Sequence, residues 1–143
     1  MSLFASMPRS SSVIAIDTNV LVRVLVDDPG APEQCKSARA LLTSNGGAWV
    51  SQVVLVETVW VLESAYSFSA EQIGDVLERL QSAQALHLES PECFDAAVRL
   101  YREGHNDFSD CLILATAARR GFDLHTFDRK LAQLEGARRV GES

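Results

Sequence analysis

A chain of 143 residues, 47% hydrophobic and 22% charged, has the size and make-up of one ordinary folded domain, which excludes an extended disordered protein, a collagen-like repeat and a disulfide-dense mini-protein. Its 13 basic and 19 acidic side chains leave a net charge of −6, so it has no general electrostatic attraction to nucleic acid or anionic lipid. The longest uncharged stretch, residues 40–56, contains Thr43, Ser44, Asn45, Gly46, Gly47, Ser51 and Gln52, so no transmembrane helix and no membrane partner are predicted.

Residues 1–12 lack the apolar run of a signal peptide and read as a loose tail ahead of a single domain over residues 13–140. Val13-Ile14-Ala15-Ile16 reads as a short buried strand, followed by a helix over residues 18–26 that stops before Asp27-Asp28-Pro29-Gly30. A second helix over 31–42 ends at Ser44-Asn45-Gly46-Gly47, and 48–50 is a brief strand. Ser51 is placed to cap a helix over 52–66. Ser69 and Gln72 form a capping box for a helix reaching residue 83. A short strand over 85–88 precedes Ser90-Pro91-Glu92, which open a helix to about residue 103, where Gly104 ends it. Asp107 is expected to cap a helix to residue 120, closed by Gly121. A strand over 122–126, a short helix over 129–134 and a last strand over 137–140 complete the chain. Strands separated by helices imply an α/β fold with a mainly parallel sheet, whose ligand-binding edge lies at the carboxyl ends of the strands.

Cys35, Cys93 and Cys111 are odd in number and widely spaced, so neither a disulfide framework nor a zinc site is expected, and the compartment is read as reducing and cytoplasmic. His87, His105 and His125 lack the spacing of a zinc helix and read as structural. Six basic side chains fall after residue 118, namely Arg119, Arg120, Arg129, Lys130, Arg138 and Arg139, and any phosphate-facing surface should draw on them.

The acids at the predicted strand ends carry the chemistry. Asp17 follows the first strand, where it could cap the next helix, leaving one oxygen free. Glu57 has Val53, Val54, Trp60 and Val61 three or four residues away, which puts its carboxylate on an apolar face without a basic neighbour, whereas Glu63 reads as solvated. Asp107 and Asp110 share the first turn of a helix, with Asp110 read as the functional acid and Asp107 as a cap or supporting group. Asp128 follows the strand that ends Thr126-Phe127. Four carboxylates at one sheet edge need a compensating charge, and Mg²⁺ or Mn²⁺ with all-oxygen ligands supplies it best, which points to metal-assisted phosphodiester hydrolysis.

In order and spacing, Ile14-Ala-Ile-Asp-Thr-Asn-Val-Leu-Val22, Ser51-Gln-Val-Val-Leu-Val-Glu57, Asp107-Phe-Ser-Asp-Cys-Leu-Ile-Leu-Ala115 and Thr126-Phe-Asp128 resemble the PIN-domain ribonucleases, especially the VapC-type toxins of bacterial toxin–antitoxin pairs. The resemblance implies a three-layer α/β/α sandwich that cuts RNA with Mg²⁺ or Mn²⁺. It puts the acidic quartet on Asp17, Glu57, Asp110 and Asp128, supported by Thr18, Asn19 and Thr126. It also implies a homodimer and a small VapB-like antitoxin, for which exposed apolar side chains on the helix around residues 53–62 and on the next helix would suit. Asp107 is an additional acid that could compete with Asp110. A haloacid-dehalogenase-like phosphatase would need an acid where Asn19 stands. A non-catalytic interaction module would keep the fold without using the acids.

Overall fold

A computed structural model describes residues 12–104 and 106–141. The expected tail over 1–12, apart from Ser12, and the reading of His105 lie outside the described residues. The chain divides into two compact units, one reaching to Leu62 with Ala83–Glu89, the other comprising Glu63–Ser82 and everything from Ser90.

The first unit is built on three parallel strands, β1 (Ile14–Ala15), β2 (Ala48–Val50) and β3 (Leu86–Leu88), with β2 in the centre. Ile14 pairs with Ala48, and Ala48 in turn with Leu86. Helices α1 (Thr18–Leu25) and α2 (Pro32–Thr43) connect β1 to β2, as parallel neighbours require, and α3 (Gln52–Ser64) follows β2. Ser51 does cap α3, its hydroxyl accepting from the Val54 amide at 3.2 Å. Ala48, Val50, Leu21, Leu55 and Leu62 are buried. The Gly46-Gly47 turn is tightly held. Ser12 O accepts from Gly46 N at 3.0 Å, Gly47 O from Ile14 N at 3.1 Å and Ala85 O from Ala48 N at 2.8 Å. His87 is structural, as expected, with Nε2 3.1 Å from the Gly46 carbonyl.

The second unit packs α4 (Ala70–Ser82), α5 (Pro91–Arg102) and α6 (Phe108–Arg119), with β4 (Leu124–Thr126) and β5 (Ala137–Arg139) as a separate parallel pair joined by a 3-10 turn at Leu131–Gln133. The capping box is closed reciprocally: Ser69 N donates to Gln72 Oε1 at 2.8 Å and Gln72 N to Ser69 Oγ at 3.2 Å. Between α5 and α6, Phe108 makes edge contacts with Phe94 at 5.9 Å and Tyr101 at 6.3 Å between ring centres. Residues 94 and 101 lie two turns apart on α5, so one buried ring docks on a whole helix face. Arg102 reaches back to α4, where it bonds Asp75 at 2.7 Å and Glu78, and its guanidinium covers Gly74, leaving no room there for a Cβ.

Parallel strands alternating with helices bear out the α/β expectation. The pairing is a three-stranded and a two-stranded ladder, each only two or three residues deep, where the sequence pattern implied one sheet and somewhat longer strands. Caps and turn residues consume the flanking positions.

Cys35, Cys93 and Cys111 are free and buried. Cys35 donates to Val26 O at 3.3 Å, and burial pushes the Cys111 thiol up to about 11. The thiolate is the reactive form. At pH 8 the native chain is therefore expected to leave its thiols unmodified by iodoacetamide over minutes, and all three should react in denaturant. Fast labelling of Cys111 in the native state would contradict this packing.

Candidate active site

In the first unit, Asp17 sits at the end of β1 and caps α1, with Oδ1 accepting from the Val20 amide at 3.1 Å. Capping uses one oxygen. The carboxylate itself is exposed, so its second oxygen stays open to a ligand. Thr18, the first residue of α1, donates its hydroxyl to Glu57 Oε1 at 2.8 Å, which draws Glu57 of α3 to the strand end beside Asp17. Asn19 is exposed next to them. The sequence reading put Glu57 on an apolar face, and the structure corrects what that face is: Val53 and Trp60 flank the carboxylate on the solvent side, 68% and 67% exposed, while Leu55, Thr58, Val59 and Leu62 are the buried set. Because α3 is apolar nearly all round, its pattern alone could not show which side turns inward.

In the second unit, Asp107, Asp110 and Asp128 line one cleft of about 410 Å³ together with Glu63, Ala70, Tyr101, Gly104, Asn106 and Lys130. The positive end of α6 and the end of β4 supply the acids. Asp107 occupies the N-cap position of α6 but makes no side-chain cap bond, so the expected cap is absent and its carboxylate is left to the cleft. Asp110 is half-buried. Partial burial raises its carboxyl above the usual carboxylate range, the charges of Asp107 and Asp128 raise it further, and a hydrogen bond from Asn106 partly offsets both. Asp128 is set by two contacts: its amide donates to Thr126 Oγ1 at 3.0 Å, and its Oδ1 accepts from the Leu131 amide at 2.8 Å. Thr126 thus holds the Asp128 backbone.

Glu63, Tyr101, Asn106 and Lys130 were not singled out in sequence as parts of this cleft. Glu63 is raised by partial burial and by the charge of Asp107, and so is not the plainly solvated acid its helix position suggested. Burial raises the Tyr101 hydroxyl first, and the charges of Glu63, Asp107 and Cys111 add to this, with Arg102 opposing, so Tyr101 is a protonated donor at neutral pH. Only Lys130 carried a readable signal, two residues beyond Asp128.

The structure thus brings Asp17, Thr18 and Glu57 together in one unit, and Asp107, Asp110, Thr126 and Asp128 in the other. Among the described residues, no group of three or more His, Cys, Asp or Glu side chains is arranged to hold a metal ion. Nor is any helix among them long and apolar enough to cross a membrane.

The PIN-domain family model matches residues 14–137. A VapC ribonuclease of Aquifex aeolicus (strain VF5) is 26% identical over 121 residues, covering 83% of this chain and 90% of that protein.

Proposed function

This chain belongs to the PIN-domain family, and from that premise we propose that it is a metal-dependent endoribonuclease, hydrolysing RNA phosphodiester bonds as the toxin of a VapBC-type pair. Asp17, Glu57, Asp110 and Asp128 are the proposed ligands of Mg²⁺ or Mn²⁺, with Thr18, Asn19, Asp107 and Thr126 in support. The observation that carries this reading is the gathering of like-charged acids at element ends: three line one cleft, where partial burial and then the charges of Asp107 and Asp128 raise the Asp110 carboxyl. The donor chemistry of such a cluster suits the group, although the acids described are not arranged as a metal-binding shell. Its donors are all oxygen, the preference of hard divalent cations, and cationic charge offsets the same repulsion.

Bound divalent cations supply Lewis acidity toward phosphoryl oxygens and make water a better nucleophile. The chain's own residues orient the acids. Thr18 turns one oxygen of Glu57 toward α1, Thr126 holds the Asp128 backbone amide while the Leu131 amide fixes its carboxylate, and Tyr101 offers a proton donor to the cleft. Val53 and Trp60 on either side of Glu57 provide exposed apolar area suited to a homodimer contact or to a small VapB-like antitoxin, within a cytoplasmic setting.

The test is direct. Purified protein with Mg²⁺ or Mn²⁺ should cleave single-stranded RNA, and EDTA should stop it. Release of phosphate from small monoesters without RNA cleavage would favour a phosphatase, and neither activity would favour an interaction module. In cells, expression should arrest growth, and co-expression of a neighbouring small reading frame should relieve the arrest.

A further inference from the structure

Phe127 is 76% exposed, more than any other large apolar side chain among the described residues, and it stands directly before Asp128. A lone exposed ring is ordinary on a protein surface. This one is carried on a fixed frame. Val140 N bonds Thr126 O at 2.8 Å on one side, and on the other the Thr126 hydroxyl and the Leu131 amide pin Asp128. A ring presented this way loses little freedom when something stacks on it.

The charge around it points to the occupant. Arg129 and Lys130 follow, both exposed, and among the described residues neither makes an ion pair, whereas Arg119 faces Glu92 at 4.0 Å and Arg138 bonds Asp123 at 3.1 Å. Lys130 lines the acidic cleft with Asp110 and Asp128, while Phe127 stays outside its lining. An anionic group against Lys130 with a flat apolar group against Phe127 has the two-part chemistry of a nucleotide. Base faces are free to stack on protein rings only where the strand is unpaired.

We propose that Phe127 is a base-stacking platform and Lys130 its phosphate contact, so that the cleft takes single-stranded RNA with one base splayed onto the Phe127 ring. The placement of that nucleotide next to the cut rests on the nuclease reading above. The stacking contact itself does not.

Binding of a fluorescently labelled eight-nucleotide single-stranded RNA to the full chain, measured by anisotropy in Mg²⁺ and again in EDTA, tests the proposal. Phe127→Ala and Phe127→Leu should each raise Kd by about tenfold or more, within the range of one lost base stack, and Phe127→Trp should match the wild type. Affinity for a duplex of the same sequence should not change among the three. Lys130→Ala should weaken binding and reduce its salt dependence by about one phosphate contact. Wild-type affinity in Phe127→Leu, or no single-strand binding by the wild type, would overturn the proposal. Ring-dependent binding without cleavage would leave it standing and remove the nuclease reading. Cleavage with an unchanged KM in Phe127→Leu would do the reverse.

Discussion

Asp110→Asn is expected to lower RNA cleavage by on the order of 10²–10³-fold while raising the melting temperature of the metal-free protein by about 1–3 °C. The two signs have one origin. Asp110 is raised because partial burial and the charges of Asp107 and Asp128 disfavour its ionised form. A carboxyl raised by folding contributes stability that is fully present below its unfolded value, 3.8 here, and is lost as pH rises through the folded value. At pH 7 the wild type has lost that contribution, and an uncharged amide in the same place keeps it. The gain is small because the group remains largely open to solvent screening. Scanning calorimetry with and without Mg²⁺ checks the assignment: added metal should stabilise the wild type and leave the Asn variant nearly unmoved. Asp17→Asn is the companion case. Its carboxylate is exposed and Asn caps helices as well as Asp does, so activity should fall without a gain in stability. Equal destabilisation of both variants would argue that these acids are structural.

Gly47→Ala is expected to cost on the order of 3–5 kcal/mol in denaturant unfolding, a loss beyond that of an average surface change. Gly47 has φ +89°, where side chains are strained, and a Cβ there would lie 2.5 Å from the Ala85 carbonyl oxygen and 2.8 Å from His87 Nε2. The backbone carbonyl does not yield cheaply. Ala85 O receives the amide that starts the β2–β3 pairing, and Gly47 O receives the one that starts β1–β2. All three strands of the first unit would have to shift. Replacement of His87 by Ala should recover part of the loss in the Gly47→Ala background by removing the second clash, and full recovery would mean that the backbone contact is not decisive.

The helices were legible because their ends are written in local chemistry. Ser51, the Ser69–Gln72 box, Pro91 at a helix start, and Gly104 and Gly121 beyond helix ends each act within four residues. The positions of Asp17 and Asp128 at strand ends were legible for the same reason, since a strand end followed by a helical turn is visible in sequence. What escaped depends on distance in space. Asp107 has the residue type and position of a cap, yet its carboxylate makes no cap bond, and nothing nearby in sequence decides that. Glu63 and Tyr101 meet Asp107 from α3 and α5, a convergence that no spacing within one helix encodes.

The brevity of the strands has a consequence of its own. With no ladder longer than three residues among the described residues, an outer edge there offers a passing chain only one or two unpaired amide–carbonyl positions, too few to template growth of a fibril, for which six or seven residues in register are the usual minimum. The protein should therefore tolerate high concentration without cross-β assembly for as long as its helices stay folded.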